Sequence, residues 1–343
     1  MTMTRHASAR SLALAALLTL AAAPAWGQAK TGTTIGSFLL IEPSARITGM
    51  GNAGSTLYDD GLDAAYYNAA AIGSIKQMAV EFSHAFWIAD IRYDYVALGF
   101  PLRTWGNVFA SVTALNSGDM DVRTVNQPLG TGEKFSVSDV ALALGYGRQI
   151  TERFAVGGQL TWMQETIWNS TMGAPAFNVG TLYRISGQGL HLGASLSNFG
   201  TQGAYDGRDL RVTYDANPAT FGDNGSLPAD QFTGSFPMPL LFRAGVGYPV
   251  QVGERDRLWL ALDAFHPSDN TESVSFGAEF LTRNVLALRA GYQNLFQQDS
   301  EVGLTAGAGF NGRLDVYTFK LDYAWADQGR LGGSHRVTFG LQF

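Results

Sequence analysis

Short stretches in which every second residue is apolar recur along this chain, and they limit its fold more than any other feature. In the last of them, Val337, Phe339, Leu341 and Phe343 fall on one face, and Arg336, Thr338, Gly340 and Gln342 on the other. Residues 316–327 repeat the pattern, with Tyr317, Phe319, Leu321, Tyr323 and Trp325 against Thr318, Lys320, Asp322 and Ala324. Leu240, Phe242, Ala244, Val246 and Tyr248 oppose Arg243, and Leu258, Leu260 and Leu262 oppose Trp259 and Asp263. Leu286, Leu288, Ala290 and Tyr292 oppose Arg289 and Gln293. A period of two belongs to strands with one face against an apolar medium. Fourteen strands are expected, near 77–87, 91–101, 106–116, 137–149, 153–167, 175–186, 189–199, 237–249, 256–266, 271–281, 284–295, 301–310, 315–327 and 333–343, each end defined to ~2–4 residues.

A soluble sandwich also alternates, but two features point to a transmembrane barrel. The expected strands run about 10–13 residues, long against the ~5–6 usual in globular domains and suited to a tilted membrane strand. The connections also sort by parity. Those after even strands are short, as at Arg103-Thr104-Trp105, Thr151-Glu152 and Thr282-Arg283, whereas the two longest, about 117–136 and 200–236, follow odd strands. Outer-membrane barrels have short turns on one side and long loops on the other. Asp139, Arg243, Asp263, Glu279, Arg289, Lys320, Asp322 and Arg336 all oppose the apolar row of their strand, where a polar lumen would receive them. Asp94 is the exception, sharing a face with Val96, Leu98 and Phe100, and is expected near a membrane rim.

Composition agrees. Charged residues make up 15% of the 343, against ~25% in ordinary soluble domains. Beyond the first 30 residues no apolar run approaches the ~20 of a spanning helix. Residues 1–27 have the polar start with Arg5 and Arg10, the apolar run 11–23 and the small-residue cleavage site of a secretory signal peptide. Removing those two arginines takes the net charge from −6 to −8, which disfavours nucleic acid as a partner. There is no cysteine for a disulfide, a thiolate nucleophile or a thiolate metal site.

Residues 28–75 lack the alternation and are expected to form a plug inside a barrel of residues 76–343. A short helix is expected over 62–71, started by Asp59-Asp60. Glu42-Pro43-Ser44-Ala45-Arg46-Ile47-Thr48-Gly49-Met50-Gly51-Asn52-Ala53-Gly54, then Asp59-Asp60 and Tyr66-Tyr67-Asn68-Ala69-Ala70, resemble the start of FadL-like barrels, which are related to long-chain fatty-acid transporters. Those barrels usually have proline where this chain has Ala69. The resemblance implies fourteen strands and a plug carrying Gly49, Gly51, Gly54, Asp60 and Asn68. Gly130 to Phe135, Gln149 to Phe154, Asn198-Phe199-Gly200, Asp206 to Leu210 and Pro239 to Arg243 further resemble the PorV/PorQ family. The terminal Phe343 resembles the C-terminal insertion signal of outer-membrane barrels.

That resemblance implies a non-enzymatic component of type IX secretion in the outer membrane, which binds secreted cargo proteins. The external loop with Asp206, Arg208, Asp209, Phe221, Phe232 and Phe236 is the candidate cargo contact. The alternative is a FadL-type uptake channel for a hydrophobic ligand, with Phe38 to Ile41 lining a pocket. Arg243, Asp263, Glu279, Arg289, Lys320 and Asp322 are expected as lumen charges packing the plug. No catalytic, metal or cofactor site is expected. The G-x-G-x-x-G run at Gly49–Gly54 has no βαβ setting, and the histidines are not spaced as a metal pair.

Overall fold

The computed structural model describes residues 30–58, 62–186, 189–222 and 225–343. The expected signal peptide, Asp59-Asp60 and the turn at 187–188 lie outside them.

Fourteen antiparallel strands close into one barrel. They are β1 (Ala79–Phe86), β2 (Arg92–Pro101), β3 (Asn107–Asn116), β4 (Val137–Thr151), β5 (Phe154–Ile167), β6 (Ser170–Arg184) and β7 (His191–Gly200), followed by β8 (Leu241–Gln251), β9 (Asp256–Pro267), β10 (Ser273–Thr282), β11 (Leu286–Leu295), β12 (Leu304–Leu314), β13 (Tyr317–Asp327) and β14 (Gly333–Gln342). Each pairs with its neighbour in sequence, and β1 pairs with β14 from Ala79↔Gln342 to Phe86↔His335, so the sheet has no free edge. No helix among the described residues is long and apolar enough to cross a membrane. Leu98, Leu142, Leu144, Leu160, Leu260 and Leu288 stand exposed on the outer wall, where only lipid would make their exposure favourable. Aromatic side chains sit outward near both ends of the wall, with Trp105, Tyr183 and Tyr317 at the short-turn end and Phe86, Trp168 and Phe199 at the long-loop end.

Two strands differ from the alternation. β6 starts at Ser170 rather than near 175, after a two-residue turn at Trp168-Asn169 in which Trp168 takes φ 54°. Its outward row begins Thr171, Gly173, Pro175, which is too small and polar to read as a lipid face. β12 continues to Leu314, past its expected end near 310, and the tight turn falls at Asp315, which takes φ 56°. The longest loop is partly ordered by a hairpin pairing Arg211–Tyr214 with Leu227–Asp230.

The segment 30–78 fills the lumen. It enters at the long-loop end, where Lys30 N donates to Asp269 O (3.0 Å), and reaches β1 at the short-turn end. The helix expected over 62–71 is only Leu62–Ala65. Asn68 is extended (φ −147°, ψ 111°), and its side chain accepts from Ala70 N to start a 3-10 helix, Ala69–Ser74. An asparagine that bonds its own backbone competes with the helix ladder, which is why the run breaks there.

Close packing of plug against wall depends on small residues facing inward. A Cβ at Gly157 of β5 would lie 2.1 Å from Ala69 O, one at Gly277 of β10 2.1 Å from Met50 O, and one at Gly193 of β7 2.3 Å from Ser55 O. These glycines let plug backbone touch wall backbone. Ile47, Met50, Tyr67 and Ile72 are fully buried in the resulting core.

Candidate functional site

Charged side chains fix the plug on one side of the lumen. Arg46 of the plug forks onto Glu279 of β10, Nε to Oε2 at 2.9 Å and Nη2 to Oε1 at 2.8 Å. Arg289 of β11 donates to Glu279 Oε2 (2.7 Å) and to Asp322 Oδ1 of β13 (2.6 Å). Arg46 also lies 3.7 Å from Asp63. Lys320 shares the small internal cavity beside Glu279 and Asp322. Glu279 and Asp322 are tolerable in this buried setting because Arg46 and Arg289 supply them with positive charge and hydrogen bonds.

On the opposite side the bonding is mostly to backbone. Asp263 accepts from Ser55 N and Ser55 Oγ, both at 2.8 Å. Asn68 donates to Ser55 O (2.8 Å) and Thr181 O (3.0 Å). Arg243 reaches Glu42 Oε1 at 3.3 Å and lies over the rings of Tyr67 and Phe265. Burial pushes the Glu42 carboxyl above its ordinary range, against the pull of Arg243 and Arg336.

The glycine run turns the plug against the wall. Gly51 has φ +66°, and a Cβ there would lie 2.7 Å from Phe276 O. Gly51 N donates to Thr305 Oγ1 at 2.9 Å, Gly49 lies against Gly307, and Gly54 against Ile47. A four-residue helix precedes the run, so it is not in a strand-to-helix phosphate setting.

Above the plug, at the long-loop end, a cavity of about 380 Å³ opens. Its floor is plug, including Leu40, Ile41 and Glu42, and its walls come from the upper ends of β8 to β11 and the loops beside them. Trp87 and Phe265 supply aromatic faces, and Asn52, Gln293, Gln297 and Gln328 supply amides. The volume is that of a small-molecule site, for which ~300–1,000 Å³ is usual. Of the apolar plug residues 38–41, Leu40 and Ile41 line this vestibule, while Phe38 and Leu39 are buried.

The structure does not gather the loop residues into one site. Asp209 accepts from Asn169 N and Nδ2 (2.9 and 3.0 Å), and Asp206-Gly207 pairs with the start of β6. Arg208 N donates to Asn169 O at 3.3 Å. Phe236 is held by a backbone bridge to Gly203, while Phe221 and Phe232 are almost wholly exposed. Among the described residues no group of three His, Asp or Glu is placed to hold a metal ion. Asp60 lies outside the described residues. Of the vestibule residues, Gln293 was placed on the lumen face from the sequence but not in a site, and Trp87, Phe265 and Gln297 were not singled out, because only the closed barrel brings their segments together.

No family model matches the chain, and no curated protein matches it. Solved structures do. The toluene transporter TodX of Pseudomonas putida superposes with a TM-score of 0.56 at 14% identity, covering 88% of this chain and 97% of that one. The monoaromatic hydrocarbon channel CymD gives 0.52 at 12% identity, covering 89% and 98%. The toluene transporter TbuX of Ralstonia pickettii gives 0.50 at 12% identity, covering 88% and 97%. At these identities the likeness is one of fold. The expectation of a closed fourteen-stranded barrel is met at that level.

Proposed function

We propose that this chain is an outer-membrane uptake channel for small hydrophobic or amphiphilic molecules. The vestibule carries the reading: a small-molecule cavity with the aromatic faces of Trp87 and Phe265 and a plug floor that includes Leu40 and Ile41, open at the long-loop end of a lipid-facing barrel. The shared fold of TodX, CymD and TbuX supports it. Below the vestibule the lumen is packed with plug, so onward passage requires the plug or a wall strand to move. No catalytic constellation accompanies the cavity.

The test is accumulation of a radiolabelled monoaromatic compound in a Gram-negative host with a tight outer membrane. Cells expressing the full chain should accumulate it several-fold faster than cells carrying an empty vector, and the Trp87→Ala variant should lose most of the gain. Equal rates with and without the chain, at matched surface expression, would sink the proposal.

A second reading, cargo binding in type IX secretion, has one observation in its favour: the near-complete exposure of Phe221 and Phe232 on the longest loop. Exposed aromatics of that kind suit protein recognition. The structural likenesses support the channel and lend nothing to secretion. A deletion strain that retains proteins sharing a common C-terminal domain in its periplasm would reverse that ranking.

A further inference from the structure

The vestibule is not built like a pure hydrocarbon site. Asn52, Asn270, Gln293, Asn294, Gln297 and Gln328 place six amide side chains on its lining, beside the hydroxyls of Ser37, Thr271 and Ser273. A hydrocarbon seated there would strip water from amides and return no hydrogen bonds, a loss that falls on every unsatisfied group. The aromatic faces of Trp87 and Phe265 offer ring contact on the same cavity.

Charge narrows the class further. The lining contains the carboxylates Glu42 and Asp269 and no lysine or arginine. The nearest guanidiniums stand behind it. Arg243 is buried against Phe265 and committed to Glu42, and Arg336 is buried behind the Trp87 ring with Nη1 bonded to Thr48 Oγ1. An anionic head would therefore meet carboxylates at the surface, while Glu42, one of the two carboxylates a cationic head could use, is already paired with Arg243. A neutral head needs neither.

Hydrogen-bonding capacity is also left over. Asn52 donates Nδ2 to Gln293 Oε1 (2.6 Å), while its Oδ1 has no hydrogen-bond partner. Asp269 accepts from Thr34 Oγ1 through Oδ2 (2.8 Å), and its Oδ1 likewise has none. Both atoms are buried, so a ligand's polar group meets instead the half-buried amides of Asn294, Gln297 and Gln328 on the lining.

We infer that the vestibule selects uncharged, ring-bearing amphiphiles with a hydroxyl or similar hydrogen-bonding group, over plain hydrocarbons and over aromatic carboxylates. This rests on the channel reading and names its substrate class. The ring packs on Trp87 and Phe265, and the polar group meets the amides of Asn294, Gln297 and Gln328.

Binding of a matched series tests it: toluene, benzyl alcohol, benzoate and benzylammonium, titrated calorimetrically into the full chain in nanodiscs against empty nanodiscs. Benzyl alcohol should bind at least ~10-fold more tightly than toluene or benzoate, because a site with polar groups discriminates against analogues that leave them unpaired. Gln293→Leu should shrink that preference over toluene. Gln297→Leu, on the loop and outside the plug contacts, should shrink it in a fully folded barrel. Toluene, benzoate or benzylammonium binding tightest would overturn the class and leave the channel standing. No saturable heat for any of the four would overturn the class and the channel together.

Discussion

Arg46 and Glu279, 233 positions apart in sequence, meet as a two-pronged pair inside the barrel, with both bonds at 2.9 Å or less. The pair joins plug to wall, and Arg289 shares the same carboxylate. Removing one member of a buried pair leaves the other uncompensated, at a cost of about 3–5 kcal/mol. Arg46→Met should therefore lower the unfolding temperature of the purified barrel clearly. Arg46→Met with Glu279→Gln should recover part of the loss. A single variant as stable as the parent would mean the pair contributes no net anchoring.

Gly157 has no room for a methyl group, since its Cβ would fall 2.1 Å from Ala69 O in the plug. Overpacking commonly costs about 1–3 kcal/mol, and here the obstacle is backbone, which yields less than a side-chain tip. Gly157→Ala should lower the unfolding temperature and increase protease cleavage within 62–78. Gly340→Ala is the control, because the nearest atom to its Cβ is 3.8 Å away, and its effect should stay within ~0.5 kcal/mol.

Glu42 gives the plug a pH dependence. Its carboxyl is raised in the fold by burial, with Arg243 and Arg336 pulling the other way. The folded state thus favours the protonated form, so this group's contribution is full below its unfolded pKa near 4.5 and is lost as pH rises through the folded value. Unfolding temperature measured from pH 4 upward should fall more steeply in the parent than in Glu42→Gln. Parallel curves would show that Glu42 is not the group responsible.

Trp87 belongs to the vestibule, and its ring also covers the buried Arg336 guanidinium at 5.7 Å. Trp87→Ala should reduce ligand affinity and uptake several-fold while the barrel still forms, because the strand pairings that close the wall do not use this side chain. Circular dichroism and heat-modifiability on a gel check the fold, and titration with benzyl alcohol checks the site. Unchanged affinity would place the ligand elsewhere.

Alternation made the wall legible in the sequence, because lipid and lumen impose opposite demands on neighbouring residues. That is why Arg243, Asp263 and Glu279 could be assigned a face without their partners being known. Their partners were not legible: Arg46, Ser55 and Glu42 approach from a segment whose path depends on glycines in five or more strands. β6 escaped at its start because Thr171, Gly173 and Pro175 are small enough to sit outward without looking apolar. The helix after Leu62 was overextended because Asn68 reads as a tolerable helix residue until its side chain is seen capping Ala70. The vestibule has no local signature, since its lining is drawn from the plug and from five separate segments of wall and loop.

The barrel seam shows how the molecule must be put together. Ser83 of β1 bonds both Thr338 of β14 and Pro43 O of the plug, and Ala45 N donates to the same Thr338 hydroxyl at 2.9 Å. The plug is translated before any wall strand, yet the group it needs at the seam lies in the last one. Its bond to Thr338 can therefore form only once the final strand arrives, and that closure spans nearly the whole chain, at a large loop-closure entropy. The joint between first and last strands is thus also a clasp on the plug, so a chain truncated before β14 loses both bonds to Thr338 along with its final strand.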